Sequence, residues 1–186
     1  MRPARSECAA LAPAPDRPDR VRSRQIEDRL AVQRRGEGTV TNSAEVRSQL
    51  APELIAVYRS AHYRVTGWLP PFVLRINVPS AALAECHAAH GVECSAFLTA
   101  WNPGSRPTAD DENEVAQERL RATLAAHGFS LLEGLGVDPT GQWAGEESLL
   151  VLGIDRATAS EIGRAFRQHG IVWSGADAVP RLVMLE

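Results

Sequence analysis

The sequence predicts an α+β domain with α/β-like alternation. Its expected core is a mixed β-sheet of about five or six strands with helices packed on it. Three observations lead there. From Leu50 onward, short runs rich in β-branched and aromatic residues alternate with runs of helical periodicity. Residues that start and stop helices, such as Ser80, Gly91, Gly128 and Asp155, fall between those runs. Every Trp, Tyr and Phe of the 186 residues lies at Tyr58 or later, while Pro3, Pro13, Pro15 and Pro18 crowd the start. A segment without aromatic residues buries too little apolar surface to offset its ordering entropy, so residues 1–42 are expected to be a disordered Arg/Pro-rich tail and 43–186 a single domain.

The elements follow in order. Pro52 suits a first helical turn, and Leu54, Ile55, Tyr58 and Ala61 recur at helical spacing. Tyr63-Arg64-Val65 is a short strand candidate, and residues 72–78 alternate as a strand does. Ser80 caps a helix that Gly91 ends, and residues 95–101 form a strand stopped by Asn102-Pro103-Gly104. Thr108 with Asp111 resembles a capping box, and Asp110, Asp111 and Glu112 set negative charge on the positive end of the helix carrying Ala116, Leu120 and Leu124. Residues 129–135 read as a strand and 138–141 as a turn. Residues 148–154 form a continuous apolar strand of the kind buried on both faces, hence central. Asp155 and Thr158 open a last helix, and residues 171–173 and 181–185 supply two final strands.

Composition removes several functions. All 20 basic residues are arginine, which excludes Schiff-base, phosphate-loop and nucleophilic lysines. Through residue 47 there are 10 Arg against 7 acidic residues, a net of +3; the remainder has 10 against 16, a net of −6. That sign on the folded part argues against nucleic acid as a partner. No run approaches the ~18 apolar residues of a membrane helix, so no membrane partner is expected. The apolar run at residues 9–12 is too short for a signal peptide, and three cysteines without a close pair suit a reducing compartment, so a cytoplasmic location is expected.

Chemistry concentrates at strand ends. Thr99, Asn102 and Ser105 follow one strand, Asn113 sits in the first turns of the next helix, and Glu146 and Ser148 introduce the apolar strand. Gln168 closes the last helix. Ligands of open sheets collect at such ends, which makes these residues the candidate site. Glu146 is the candidate catalytic group, because burial at a strand edge raises a carboxyl pKa toward the range useful for acid–base work. Thr99, Asn102, Ser105, Asn113, Ser148 and Gln168 are candidate ligand contacts. For Asn102 and Asn113 a structural latch between loop and helix competes with that reading. Cys86, His87, His90 and Cys94 have metal-like spacing, yet only three could converge, so core cysteines and a dipole-favoured histidine account for them, and neither metal nor cofactor is expected.

The run Phe97-Leu98-Thr99-Ala100-Trp101-Asn102-Pro103-x-Ser105 with Glu112-Asn113 resembles an uncharacterised bacterial family, domain of unknown function 3293. The resemblance continues through Asp138-Pro139-x-Gly141-x-Trp143, Glu146-x-Ser148 to Ile154, Phe166-x-Gln168 and Ile171-Val172-Trp173, over roughly residues 54–185. It implies no activity, but its polar positions coincide with the strand-end set. Two functions are therefore weighed. One is a domain that binds or processes a small polar, nucleotide-like metabolite in a cleft near Asn102, Asn113 and Glu146. The other is a non-catalytic protein-interaction or regulatory module that presents Trp143 or Trp68. The first requires the three polar residues to line one pocket, and the second requires them to be satisfied internally.

Overall fold

A computed structural model of the chain describes residues 52–141 and 145–185. The expected tail and Trp143 lie outside the described residues. Four helices and seven strands follow one another as α1 (Pro52–Ser60), β1 (His62–Val65), β2 (Phe72–Leu74), α2 (Ala81–His90), β3 (Ser95–Leu98), α3 (Asp110–Ala126), β4 (Ser130–Val137), β5 (Glu146–Leu152), α4 (Arg156–Ala165), β6 (Gly170–Ser174) and β7 (Arg181–Met184). The α+β class stands. The sheet is larger than expected and not mixed: its order is β2-β1-β4-β5-β3-β6-β7, and every pairing is antiparallel. The seventh strand is β1, the short candidate at Tyr63-Arg64-Val65 with His62 added at its start.

The apolar run of β5 occupies the middle of this order because it is covered on both sides. Leu149 and Val151 point to one core with Leu120 and Leu124 of α3 and Ala159 and Ile162 of α4. Leu150 and Leu152 point to a second core with Val65, Phe97, Val172 and, from α2, Leu83 and Cys86. Alternation along β3 does the same, sending Ala96 and Leu98 to the first core and Phe97 to the second. The Phe97 ring lies directly over β4, where a Cβ on Gly134 would stand 2.5 Å from it. Glycine is needed there for that close approach.

Helix punctuation follows the sequence at α2 and α4. Ser80 accepts from the Leu83 amide at 3.2 Å, and Gly91 adopts φ 65° just past the last turn. Asp155 accepts from the amides of Ala157 and Thr158 at 2.9 and 3.0 Å. Two expectations give way. The Thr108 capping box does not form: its hydroxyl donates to the Arg106 carbonyl at 3.0 Å, and α3 starts at Asp110 without a side-chain cap. The strand expected over 72–78 stops at Leu74, because Asn77 takes φ 62° and Val78 N–H turns back to the Arg75 carbonyl.

Candidate functional site

The site is built where β3 runs out. Thr99 donates to the Glu147 carbonyl at 2.7 Å and accepts from the Trp101 amide at 3.0 Å, turning the chain away from β5. Asn102, Gly104 and Ser105 then take φ values of 48°, 69° and 53°. Three left-handed residues in four is an unusual concentration; asparagine tolerates it, but serine is held there against its preference. A bond from Gly104 N–H to the Arg167 carbonyl, at 2.7 Å, pins the tight loop to the end of α4.

Asn113 is the anchor beneath this loop. It is 1% exposed, and its Oδ1 accepts from the Asn102 amide at 2.9 Å while its Nδ2 donates to the Thr108 carbonyl at 3.1 Å. One turn further along α3, the Gln117 side-chain oxygen accepts from the Ala100 amide at 2.9 Å. Two amides on one helix face therefore satisfy the backbone that β3 leaves unpaired. Asn102 stands above, its Oδ1 accepting from the Thr108 amide at 3.0 Å and its Nδ2 donating to Glu146 Oε1 at 2.6 Å. From the other side Gln168 donates to the Trp101 carbonyl at 2.9 Å.

Above the loop and the sheet lies a cavity of about 220 Å³. Its polar lining is Thr99, Asn102, Ser105, Glu146, Ser148 and Gln168, and its apolar walls include Leu54 and Val57 of α1, Phe97, Val172 and Leu182. Tyr58 and Tyr63 close it. The Tyr58 hydroxyl is 2.6 Å from Ser105 Oγ, and the Tyr63 hydroxyl donates to the Tyr58 carbonyl at 2.7 Å, so the strained loop, α1 and β1 are tied together around the cavity. Trp101 also lines it, and its indole N–H is buried without a partner among the described residues.

Burial pushes the Glu146 carboxyl above the ordinary carboxylate range, and the bond from Asn102 offsets part of that rise. Both tyrosine hydroxyls are pushed up as well, chiefly by burial, with the negative charge of Glu146 adding to it. All three groups therefore favour their protonated, neutral forms more than they would in water. Among the described lining residues Glu146 is the sole charged side chain.

The family comparison selects the same region. Residues 98–171 match the family described as Protein of unknown function (DUF3293). Over that stretch the chain is similar to domain of unknown function 3293. No curated protein and no solved structure matches the chain. The DUF3293 match runs from the end of β3 to the start of β6 and so contains all seven candidate residues, while α1, β1, β2, α2 and β7 lie outside it.

Of those seven, six line the cavity; Asn113 does not, and serves as the latch under it. Ser148 is 2% exposed and donates to the Glu146 carbonyl at 3.0 Å, which leaves its oxygen as an acceptor at the cavity floor. Tyr58, Tyr63 and Trp101 were not among the sequence candidates. Tyr58 sits on the apolar stripe of α1, where it reads as core, and no local pattern ties it to Ser105. The two histidines of the cysteine–histidine group go separate ways. His87 is buried and shares a 2.9 Å hydrogen bond with Ser95 Oγ, whereas His90 turns to the Cys86 carbonyl at 2.9 Å. Among the described residues no three His, Cys, Asp or Glu side chains come together as a metal site.

Proposed function

We propose that this DUF3293 domain binds a small polar-ended metabolite in the cavity between α1 and the sheet, with Glu146 as the group that can exchange a proton with it. The observation that carries the reading is the convergence of six strand-end residues on one cavity around a single desolvated carboxyl. A carboxyl whose pKa burial raises above the ordinary carboxylate range is better suited to proton transfer than one in water. The nucleotide-like narrowing is not kept. A volume of about 220 Å³ lies below the ~300 Å³ at which pockets for drug-sized ligands begin, and no basic side chain among the described lining residues would meet a phosphate. We place this function in a bacterial cytoplasm, without nucleic-acid or membrane partners, on the grounds of the family resemblance and the negative charge balance of residues 48–186.

One observation favours the non-catalytic module: Asn113 is satisfied wholly within the protein, as a latch would be. Trp68 gives that reading little, since it is half-buried against the second core and lies 5.5 Å from the His90 ring. Thermal unfolding of the full chain against amino acids, amines, sugars, nucleotides and divalent cations separates the two. A ligand at 100 times its Kd stabilises by about 2.7 kcal/mol. The expected result is a hit among the small compounds that Glu146→Gln weakens. A silent panel would turn the reading to the interaction module.

A further inference from the structure

We propose that the ligand of this cavity is a small organic cation, a protonated amine carried on a compact apolar body. The inference rests on the cavity being a binding site and names the chemistry that fits it. A carboxylate withdrawn from water is costly unless an opposite charge or strong donors compensate it. Glu146 receives a donor in Asn102 at 2.6 Å, but among the described lining residues no arginine or histidine stands opposite it. The positive partner is what the lining lacks, and an ammonium group supplies it.

The walls agree with such a ligand. Four aromatic rings, those of Tyr58, Tyr63, Phe97 and Trp101, line the cavity, and Tyr63 and Phe97 meet edge to face with centroids 5.4 Å apart. Rings around a desolvated cation attract it through their quadrupoles. An ammonium brings three donors and no acceptor, so it also needs oxygens, and Thr99, Ser105 and Ser148 offer hydroxyls within the same lining. Leu54, Val57, Val172 and Leu182 then face the carbon body. A ligand with a carboxylate or phosphate would instead bring like charge to Glu146 with nothing on the described walls to offset it.

The net of −6 on residues 48–186 works in the same direction at longer range, drawing cations toward the domain. When the amine binds, the charged form of Glu146 is favoured, so the carboxyl that burial holds up is drawn back down. Binding therefore releases a fraction of a proton, which is a second signature of the pairing.

The test uses the full chain and three matched probes that differ in one terminal group: phenethylamine, 2-phenylethanol and phenylacetate. Titration calorimetry at about pH 8, which favours the ionised carboxyl while the amine stays protonated, is expected to show phenethylamine binding at least ~10-fold tighter than the alcohol, a difference of about 1.4 kcal/mol, and no binding of the acid. Glu146→Gln should bring the amine down to the level of the alcohol. Repeating the amine titration at lower pH, where the free carboxyl is partly protonated, in buffers of different ionisation enthalpy should show the released proton. Equal binding of the alcohol and the amine, or binding of the acid, overturns the cation assignment while the cavity stands as a site. If none of the three probes binds, the cation assignment and the binding function fall together.

Discussion

At the scale of single residues, Glu146 has two competing effects on the protein, and they can be separated by pH. Its carboxyl pKa is raised in the folded state, so folding favours the protonated form. The charge is then a cost to stability above the folded-state value, a cost that disappears as pH falls toward the unfolded value. Glu146→Gln keeps an oxygen for Asn102 and removes the charge. Its midpoint of chemical unfolding is expected to exceed that of the wild type at pH 8 and to converge with it as the solution is acidified. His87 runs the opposite way. Burial lowers it below the ordinary value of 6.5, with the nearby His90 adding to the effect, so the folded state binds the proton less readily than the unfolded one. Stability contributed by neutral His87 is complete above that ordinary value and is lost as pH falls through the lowered one. A His87→Gln variant should show a flatter stability profile across this acidic range, and an unchanged slope would count against the assignment.

Residue by residue, the sequence disclosed the polar half of the site and concealed the aromatic half. Asn102, Asn113 and Glu146 are conspicuous because polar residues at strand ends have no packing reason to be there. Tyr58 and Tyr63 look like ordinary core aromatics until tertiary structure brings the first against Ser105, 47 positions away. Likewise the distinction between Asn102, which faces the cavity, and Asn113, which does not, is a matter of which side of a tight loop each stands on. Spacing along the chain does not encode it.

Among the elements, α4 gives the cleanest test of how local sequence sets structure. Asp155 satisfies two amides of its first turn and also accepts from the Thr158 hydroxyl at 2.7 Å. Burial pushes the Asp155 carboxyl up, but these bonds outweigh it and hold the group below the ordinary carboxylate range. Asp155→Ala should therefore cost about 1 kcal/mol, read from urea unfolding at neutral pH, and the penalty should shrink in acid as the wild-type carboxyl is protonated. The same helix approaches the sheet closely: a Cβ on Gly163 would meet a Leu185 methyl carbon at 2.5 Å and Ile171 at 2.9 Å. Helices α2 and α4 were legible because capping is a short-range code. The capping box expected at Thr108 failed because that residue is drawn into the loop network instead, its amide donating to Asn102 and its carbonyl accepting from Asn113. A tertiary contact won over a local one.

For the molecule as a whole, the decisive strand is β5, which joins the two cores. Its leucines alternate between them, so truncation on either face removes fully buried volume: Leu149 is 0% exposed and Leu150 1%. Leu149→Ala and Leu150→Ala are each expected to cost about 2–5 kcal/mol in equilibrium unfolding. Leu150 shares its core with Phe97, so its loss should also loosen the cavity wall, which Leu149→Ala leaves in place. A comparison of probe binding by the two variants, at a temperature where both are folded, checks this. The centrality of β5 was legible from its unbroken apolar run. The antiparallel order of the sheet was not, because helices between strands suit parallel and antiparallel pairing alike, and only the partners of β3 decide it.

That order also has a kinetic consequence. Strands β1 and β2, β4 and β5, and β6 and β7 are neighbours both along the chain and in the sheet, so each pair can close early over a short loop. Strand β3 has no such partner. It enters between β5 and β6, both of which come later in the chain, and its docking closes the longest loops of this half of the sheet. The loop bearing Asn102 is its direct extension. The candidate site is thus completed by one of the last events of folding, so a chain that has formed its three hairpins and no more has nothing to bind with.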